Sequence, residues 1–272
     1  MTFRFTLLFA LLTTAYTLSA QQFTGIYQPT EAEIVYSQAT GWQAFLDDHK
    51  QQVQKGLRLI DLESSRVGGD ERIYYGIYTQ SSLKDSVGMA LGWRDFVKLK
   101  RLMAAKDFLM VDVHAFALNE SDFQYLGVWV KEDIPHKIAR LTSRQGLEKR
   151  IADMGKRRYK LKRVHVLSTP DGEPEYIALF HYSTVQEYNF LHYTESLEAF
   201  QKDLKERYVS NVRLVDYATF YEKGERYHLG VYQTGTYEDQ FVQFDNKSGL
   251  EAEGKKLKAD KGLSLLNLNV YK

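Results

Sequence analysis

The chain has 272 residues, with 36 lysines and arginines against 35 aspartates and glutamates. The formal net charge of +1 gives no global pull toward nucleic acid, and 44% hydrophobic residues suffice for a packed core. The lack of cysteine excludes disulfides, cysteine-ligated zinc, iron–sulfur clusters and a thiol nucleophile.

The N-terminus reads as an address. Met1 to Arg4 is a short basic start, and Leu18-Ser19-Ala20 precedes Gln21 as a cleavage point. Between them, Phe5 to Leu12 is an apolar run too short for a bilayer, which needs about 20 apolar residues. This predicts a signal peptide over residues 1–20 and a mature chain, 21–272, that is secreted or periplasmic, with no membrane span.

Phe23 to Tyr27 then reads as a strand standing alone. Trp42, Phe45, Leu46, His49 and Val53 recur at helical spacing. A strand, Leu57 to Glu63, follows the helix. Val67-Gly68-Gly69-Asp70 is a polar turn, and Arg72 to Tyr78 is a second strand. The unit is helix plus β-hairpin.

That unit repeats. Shifting the chain by 51 positions lays Gly41-Trp42 on Gly92-Trp93, Phe45 on Phe96, Asp61 on Asp112 and Gly76 on Gly127. A third copy carries Leu147, Leu161 and Tyr176 to Phe180; a fourth carries Phe200, Arg213 to Asp216 and His228 to Tyr232. The termini complete one another. Ser248 to Asp260 reads as a helix, and Lys261 to Leu268 matches Lys55 to Leu62, while Phe23 to Tyr27 matches Tyr74 to Tyr78. Pairing of the two terminal strands would leave no open edge.

The predicted fold class is α+β: a closed ring of five helix–β-hairpin repeats, helices outside, with one unit split between the termini. The ring is either a roughly ten-stranded antiparallel barrel or a five-bladed ring. The units fall at about 28–78, 79–129, 130–180, 181–232, and 233–272 completed by 21–27, all within one repeat domain and a monomer.

In its helix, its Lys55-Gly56-Leu-Arg58-Leu59-Ile-Asp61 strand, its turn and its Tyr74-Tyr-Gly76-Ile-Tyr78 strand, this unit resembles the bacterial tandem repeat domain. That domain also forms the N-terminal part of fungal polyglycine hydrolases. The resemblance covers essentially the whole mature chain. In those hydrolases a separate serine β-lactamase-like domain carries the catalysis, so the resemblance implies a repeat domain without that activity. Ser81-Ser-Leu-Lys84 matches the S-x-x-K of such enzymes but falls in an inter-unit linker rather than at a helix start.

Strands offer two alternating faces. One aliphatic set (Ile60/Leu62, Val111/Val113, Tyr75/Ile77, Leu126/Val128) is expected under the helices. The other set is expected to face the ring axis. It gives a polar ring of Asp61, Asp112, Arg163, Asp216 and Asn267, with Glu63, His114 and His165 beside it and Tyr74, Tyr125, Trp129 and Tyr176 as aromatic platforms. The ring serves either as a structural fastening, with Arg163 paired to Asp112 or Asp216, or as a ligand pocket on the axis. His114 and His165 occupy equivalent positions in adjacent units, so with Glu63 or Asp112 they could ligate zinc. No helix-borne HExxH supports this, and no metal is assigned. No P-loop, GxGxxG or GxSxG occurs, so no cofactor is expected.

Residues 137–163 are locally basic, from Lys137, Arg140 and Arg144 through Lys156, Arg157 and Arg158 to Lys162 and Arg163. They form either a solvated face or a patch for an anionic partner, and nucleic acid is not expected of an exported chain. The leading functional expectation is a secreted, non-enzymatic binding or scaffold domain that recognises a glycan, a peptide or a protein through its aromatic and acidic axial face. The alternative is a hydrolase of glycan or peptide using the Asp/Glu/His ring for acid–base chemistry.

Overall fold

A computed structural model describes residues 21–68, 71–119, 122–168, 173–185 and 189–271. The expected signal peptide lies outside them, as do Gly69 and Asp70 of the first turn. The first element among the described residues is β1 (Gln22–Pro29). A four-element unit then recurs. The first is β2 (Ile34–Thr40), α1 (Trp42–Gln54), β3 (Leu57–Gly68) and β4 (Glu71–Gln80); the second is β5 (Asp85–Leu91), α2 (Trp93–Ala104), β6 (Phe108–Ala117) and β7 (Phe123–Lys131). The third is β8 (His136–Leu141), α3 (Arg144–Gly155), β9 (Tyr159–Ser168) and β10 (Pro174–Tyr182); the fourth is β11 (Asn189–Thr194), α4 (Leu197–Val209), β12 (Val212–Glu222) and β13 (Glu225–Thr234). β14 (Gln240–Phe244), α5 (Lys247–Lys261) and β15 (Leu263–Tyr271) end the chain.

The architecture is α+β, with five helices and fifteen strands among the described residues. The strands make five separate three-stranded antiparallel sheets, ordered β2-β4-β3, β5-β7-β6, β8-β10-β9, β11-β13-β12 and β14-β1-β15. No closed barrel is found among them, so the ten-strand barrel is corrected. Two features account for the difference. Each helix is preceded by a strand, read as linker in the sequence, that fills the outer edge of its own sheet. On the inner edge, no backbone ladder joins one sheet to the next.

The split unit is present as expected. β1 pairs antiparallel with β15 from Gln22–Tyr271 to Pro29–Leu263, and β14 covers its other side. Each sheet carries a β-bulge at the same place, where one inner-strand residue is skipped: Ile60, Val111, Lys162, Val215 and Leu266. A bulge inserts one residue and so breaks the period-2 alternation of faces. Leu59 and Leu62 therefore lie on the same face, opposite Tyr78 and Gly76, while Asp61 and Glu63 lie on the other, opposite Ile77 and Tyr75.

This corrects the assignment of faces. Tyr74, Gly76 and Tyr78 lie under α1 with Phe45, Leu57, Leu59 and Leu62. The set Tyr75/Ile77 turns away from its own helix and packs on the unit before it. Five cores result, each between the helix-bearing face of one sheet and the opposite face of the next. Phe45 and Leu59 meet Leu126 and Val128 of the second unit; Phe96 and Trp129 meet Ile177 and Leu179 of the third. Leu147 and Phe180 meet Leu229 and Val231 of the fourth; Phe200 and Tyr232 meet Ile26 and Phe241 of the fifth. Tyr27, Leu250 and Leu257 meet Tyr75 and Ile77 of the first, so the succession returns to its start.

Helix ends are fixed locally. Ser143, Ser196 and Asn246 accept the amides of Gly146, Ala199 and Gly249 at 3.1, 3.1 and 2.9 Å, satisfying donors the first turn leaves open. Gly56 and Gly262 turn the chain from helix into inner strand at φ 81° and 69°, a conformation that glycine adopts without penalty.

A polar hub on the axis and the cavity beside it

The bulged inner strands point their post-bulge acids toward one another. Asp61 accepts the amide of Leu268 at 3.0 Å, Asp112 that of Leu62 at 2.8 Å, and Asp216 that of Val164 at 2.6 Å. Each acid thus clips its strand to the inner strand of the preceding unit. The second carboxylate oxygens converge on Arg163, whose guanidinium lies 3.5 Å from Asp61, 3.4 Å from Asp112 and 3.9 Å from Asp216. Asn267 takes the fifth place and donates to Asp216 at 2.9 Å and Asp61 at 3.3 Å. The five ring residues foreseen from the repeat are therefore together, and Arg163 pairs with three acids rather than one or two.

The electrostatics follow from burial. Desolvation lifts Asp216 to about 6, against the pull of Arg163 and of the Val164 amide. Asp61 is also held well above the carboxylate range, by burial first and then by the Asp112 charge. Desolvation opposes the Arg163 charge, but Asp216, Asp61 and Asp112 more than offset it and raise the guanidinium further.

One step along the axis a second cluster forms. His114 Nε2 lies 2.8 Å from Ser64 Oγ, and its Nδ1 lies 3.3 Å from Glu63 Oε2. His165 Nε2 lies 2.7 Å from the Ala115 carbonyl, and the two imidazole centroids are 4.4 Å apart. Arg72 donates to Ser64 Oγ at 3.2 Å and stacks over the Phe116 ring at 3.5 Å. Burial, then the Asp112 and Asp216 charges, push Glu63 well above its ordinary value. Burial and the Arg72 charge hold His114 down at about 3, and burial and His114 keep His165 neutral. The cluster lines a cavity of about 180 Å³, shared with Thr219, Asn269 and Tyr271. On the far side of the hub a cavity of about 400 Å³ is lined by Gln28, His181, Gln233 and Tyr237.

The four aromatic residues expected as platforms are elsewhere. Tyr74 packs against Trp42 and Phe45, Tyr125 against Trp93 and Phe96, Trp129 against Phe96, and Tyr176 against Phe220. All four are buried in helix-side cores: they share the face of the pre-bulge residues such as Leu59, and the bulge carries Asp61 and its equivalents to the other face. Asn269, which the alternation also places on the axial face, lines the cavity, and the residues that sequence reasoning missed there are Ser64 and Thr219, past the bulge on β3 and β12.

The basic segment is divided by the fold. Arg140 pairs with Glu175, and Arg144 with Glu222, where it also stacks on Tyr193 and Tyr227. Arg163 is in the hub. Lys137, Lys149, Arg150, Lys156, Arg157 and Arg158 are exposed. Among the described residues no helix is long and apolar enough to cross a membrane. In comparisons with known proteins, no family model matches the chain and no curated protein matches it significantly.

Proposed function

We propose that the chain is an exported, non-enzymatic binding domain, a closed ring of five repeats that takes a small polar group in the cavity over Glu63, His114 and His165. The observation that carries this reading is the convergence of those side chains with Thr219 and Asn269 on one cavity, held in place by the Arg163 hub. Pockets of this kind gain specificity from a few placed polar groups. At about 180 Å³ the cavity is smaller than ordinary ligand pockets of ~300–1,000 Å³, which suits the end of a peptide or one sugar substituent. With the aromatic platforms buried, recognition rests on hydrogen bonds from Thr219 and Asn269 and on the neutral imidazoles. A screen of glycans and short peptides on the purified chain, read by calorimetry, tests this. Hits are expected that Asn269→Leu abolishes; a screen without hits, or hits indifferent to Asn269→Leu, overturns it.

A specific observation favours the hydrolase as second reading. Glu63 is biased toward its protonated form beside two neutral imidazoles, so acid and base sit in distinct environments. Asp61 and Asp112 are fastened to amides and to Arg163, which leaves Glu63 as the acid. Turnover of any peptide or glycan that Glu63→Gln stops would place this reading first.

A further inference from the structure

His114 is buried, yet its Nδ1 has no hydrogen-bond partner. It faces a carboxylate oxygen of Glu63 at 3.3 Å without hydrogen-bond geometry. A buried ring nitrogen facing a carboxyl oxygen in this way is closed by a shared proton or by a cation. The other ring nitrogen is engaged, since Nε2 meets Ser64 Oγ at 2.8 Å. His165 is arranged likewise. Its Nε2 lies 2.7 Å from the Ala115 carbonyl, which can only accept, so Nε2 carries the proton and Nδ1 keeps its lone pair. A histidine whose far nitrogen donates to a carbonyl is in the tautomer and orientation of a metal ligand.

We propose that Glu63, His114 and His165 bind a divalent transition-metal ion of the zinc class, with its remaining position open to the axial cavity. Their ligand atoms all lie within 4.8 Å of one another. Bonds of 2.0–2.1 Å in a tetrahedron put neighbouring ligand atoms about 3.3 Å apart, which matches the separation of His114 and Glu63. The His165 ligand atom lies within 4.8 Å of the other two, so its ring must close in for a bond to form. Two imidazoles and one carboxylate, without thiolates, select zinc, cobalt or nickel over calcium and magnesium. Three protein ligands leave a position for water or for an oxygen of the bound group. Arg72 opposes a cation here, but it is drawn toward Ser64 and Phe116.

The inference rests on the axial cavity being the binding site, and the test separates the two. The untagged full chain, stripped with chelator, is titrated with cobalt(II) by visible absorption and with zinc by calorimetry. One saturable equivalent is expected, with a raised Tm. Glu63→Gln is expected to weaken affinity by about tenfold or more and His165→Ala to remove the cobalt band, while His192→Ala, in a half-exposed histidine away from the site, leaves both unchanged. Circular dichroism verifies the fold of each variant, and the Glu63→Gln result stands alone if His165→Ala does not fold. A wild-type chain that takes up neither metal, or a cobalt band untouched by Glu63→Gln and His165→Ala, overturns the metal site. Glycan or peptide hits on stripped protein that depend on Asn269 would leave the binding-domain reading intact even then.

Discussion

The carboxylate of Asp61 accepts the amide of Leu268, 207 positions further along the chain, at 3.0 Å. The bond ties the first whole unit to the last strand, and it is the same bond that ties Asp112 to Leu62 and Asp216 to Val164. The junction between chain ends is thus built like the junctions inside the chain.

Removing residues 262–272 would take away β15, leave Asp61 without its amide and strip β1 of one partner strand. The exposed edge of β1 would also invite association. The expected outcome is loss of the cooperative thermal transition and aggregation on heating. A truncated chain that melts like the intact one, by circular dichroism and light scattering, would refute the closure.

Much of this arrangement is legible in the sequence and part is hidden for a definable reason. An offset of 51, lengthened by two between Arg163 and Asp216, finds the five units, the split unit and the ring of Asp61, Asp112, Arg163, Asp216 and Asn267, because near-constant spacing survives local distortion. Faces do not survive it. The bulges at Ile60, Val111, Lys162, Val215 and Leu266 add one residue to each inner strand, so strict alternation puts Leu59 on the axis and Tyr75 under a helix, the reverse of what is found. The outer strands escaped as well. Ile34–Thr40 and Asp85–Leu91 are short and largely half-buried, and alternation is weak in such segments. His114 and His165 come together beside Glu63 because all three follow the bulge in step.

Arg163 is the one guanidinium among three hub acids. Arg163→Met would leave Asp61, Asp112 and Asp216 buried without a counter-charge. Breaking a buried pair by removing one partner costs about 3–5 kcal/mol. A loss of that size in unfolding free energy, from denaturant titration, is expected, and Arg163→Lys is expected to recover only part, since a point charge cannot reach three carboxylates at once. A neutral Arg163→Met would show the hub to be dispensable.

Gly127 is held small by Trp129. A Cβ added at Gly127 would lie 2.3 Å from the indole, and one at Gly76 would lie 2.6 Å from Tyr78. Trp129 is itself locked against Phe96 beneath α2, so it cannot swing aside. Gly127→Ala is expected to cost about 1–3 kcal/mol by overpacking. Gly155, with nothing near its Cβ position, serves as the control: Gly155→Ala on the exposed helix is expected to be neutral or slightly stabilising. Equal effects at the two sites, measured by urea unfolding, would contradict the packing argument.

The pH dependence has opposing parts whose signs can be worked out. Burial lowers His136 to about 4, His181 to about 3 and His228 to about 4, where an unfolded histidine titrates near 6.5. A depressed folded value means that the unfolded chain takes up protons first, so the stability these residues confer is present above 6.5 and is lost as pH falls toward the folded values. At pH 5 each costs about 2 kcal/mol relative to pH 7. Asp216 and Asp239 act the other way. Burial raises both to about 6, so the folded chain takes up their protons first and each adds roughly 1 kcal/mol over the same fall. Among these five groups the three histidines outweigh the two acids, and their combined contribution is expected to decline from pH 6.5 to pH 5. His228→Gln removes one contributor, whose ring nitrogen now meets the Tyr217 hydroxyl at 2.6 Å. Whatever that variant loses at pH 7, its decline between pH 6.5 and 5 is expected to be shallower by about 2 kcal/mol. Parallel stability curves for the wild type and His228→Gln over this range, from urea midpoints at half-unit steps, would show that His228 titrates normally in the folded chain.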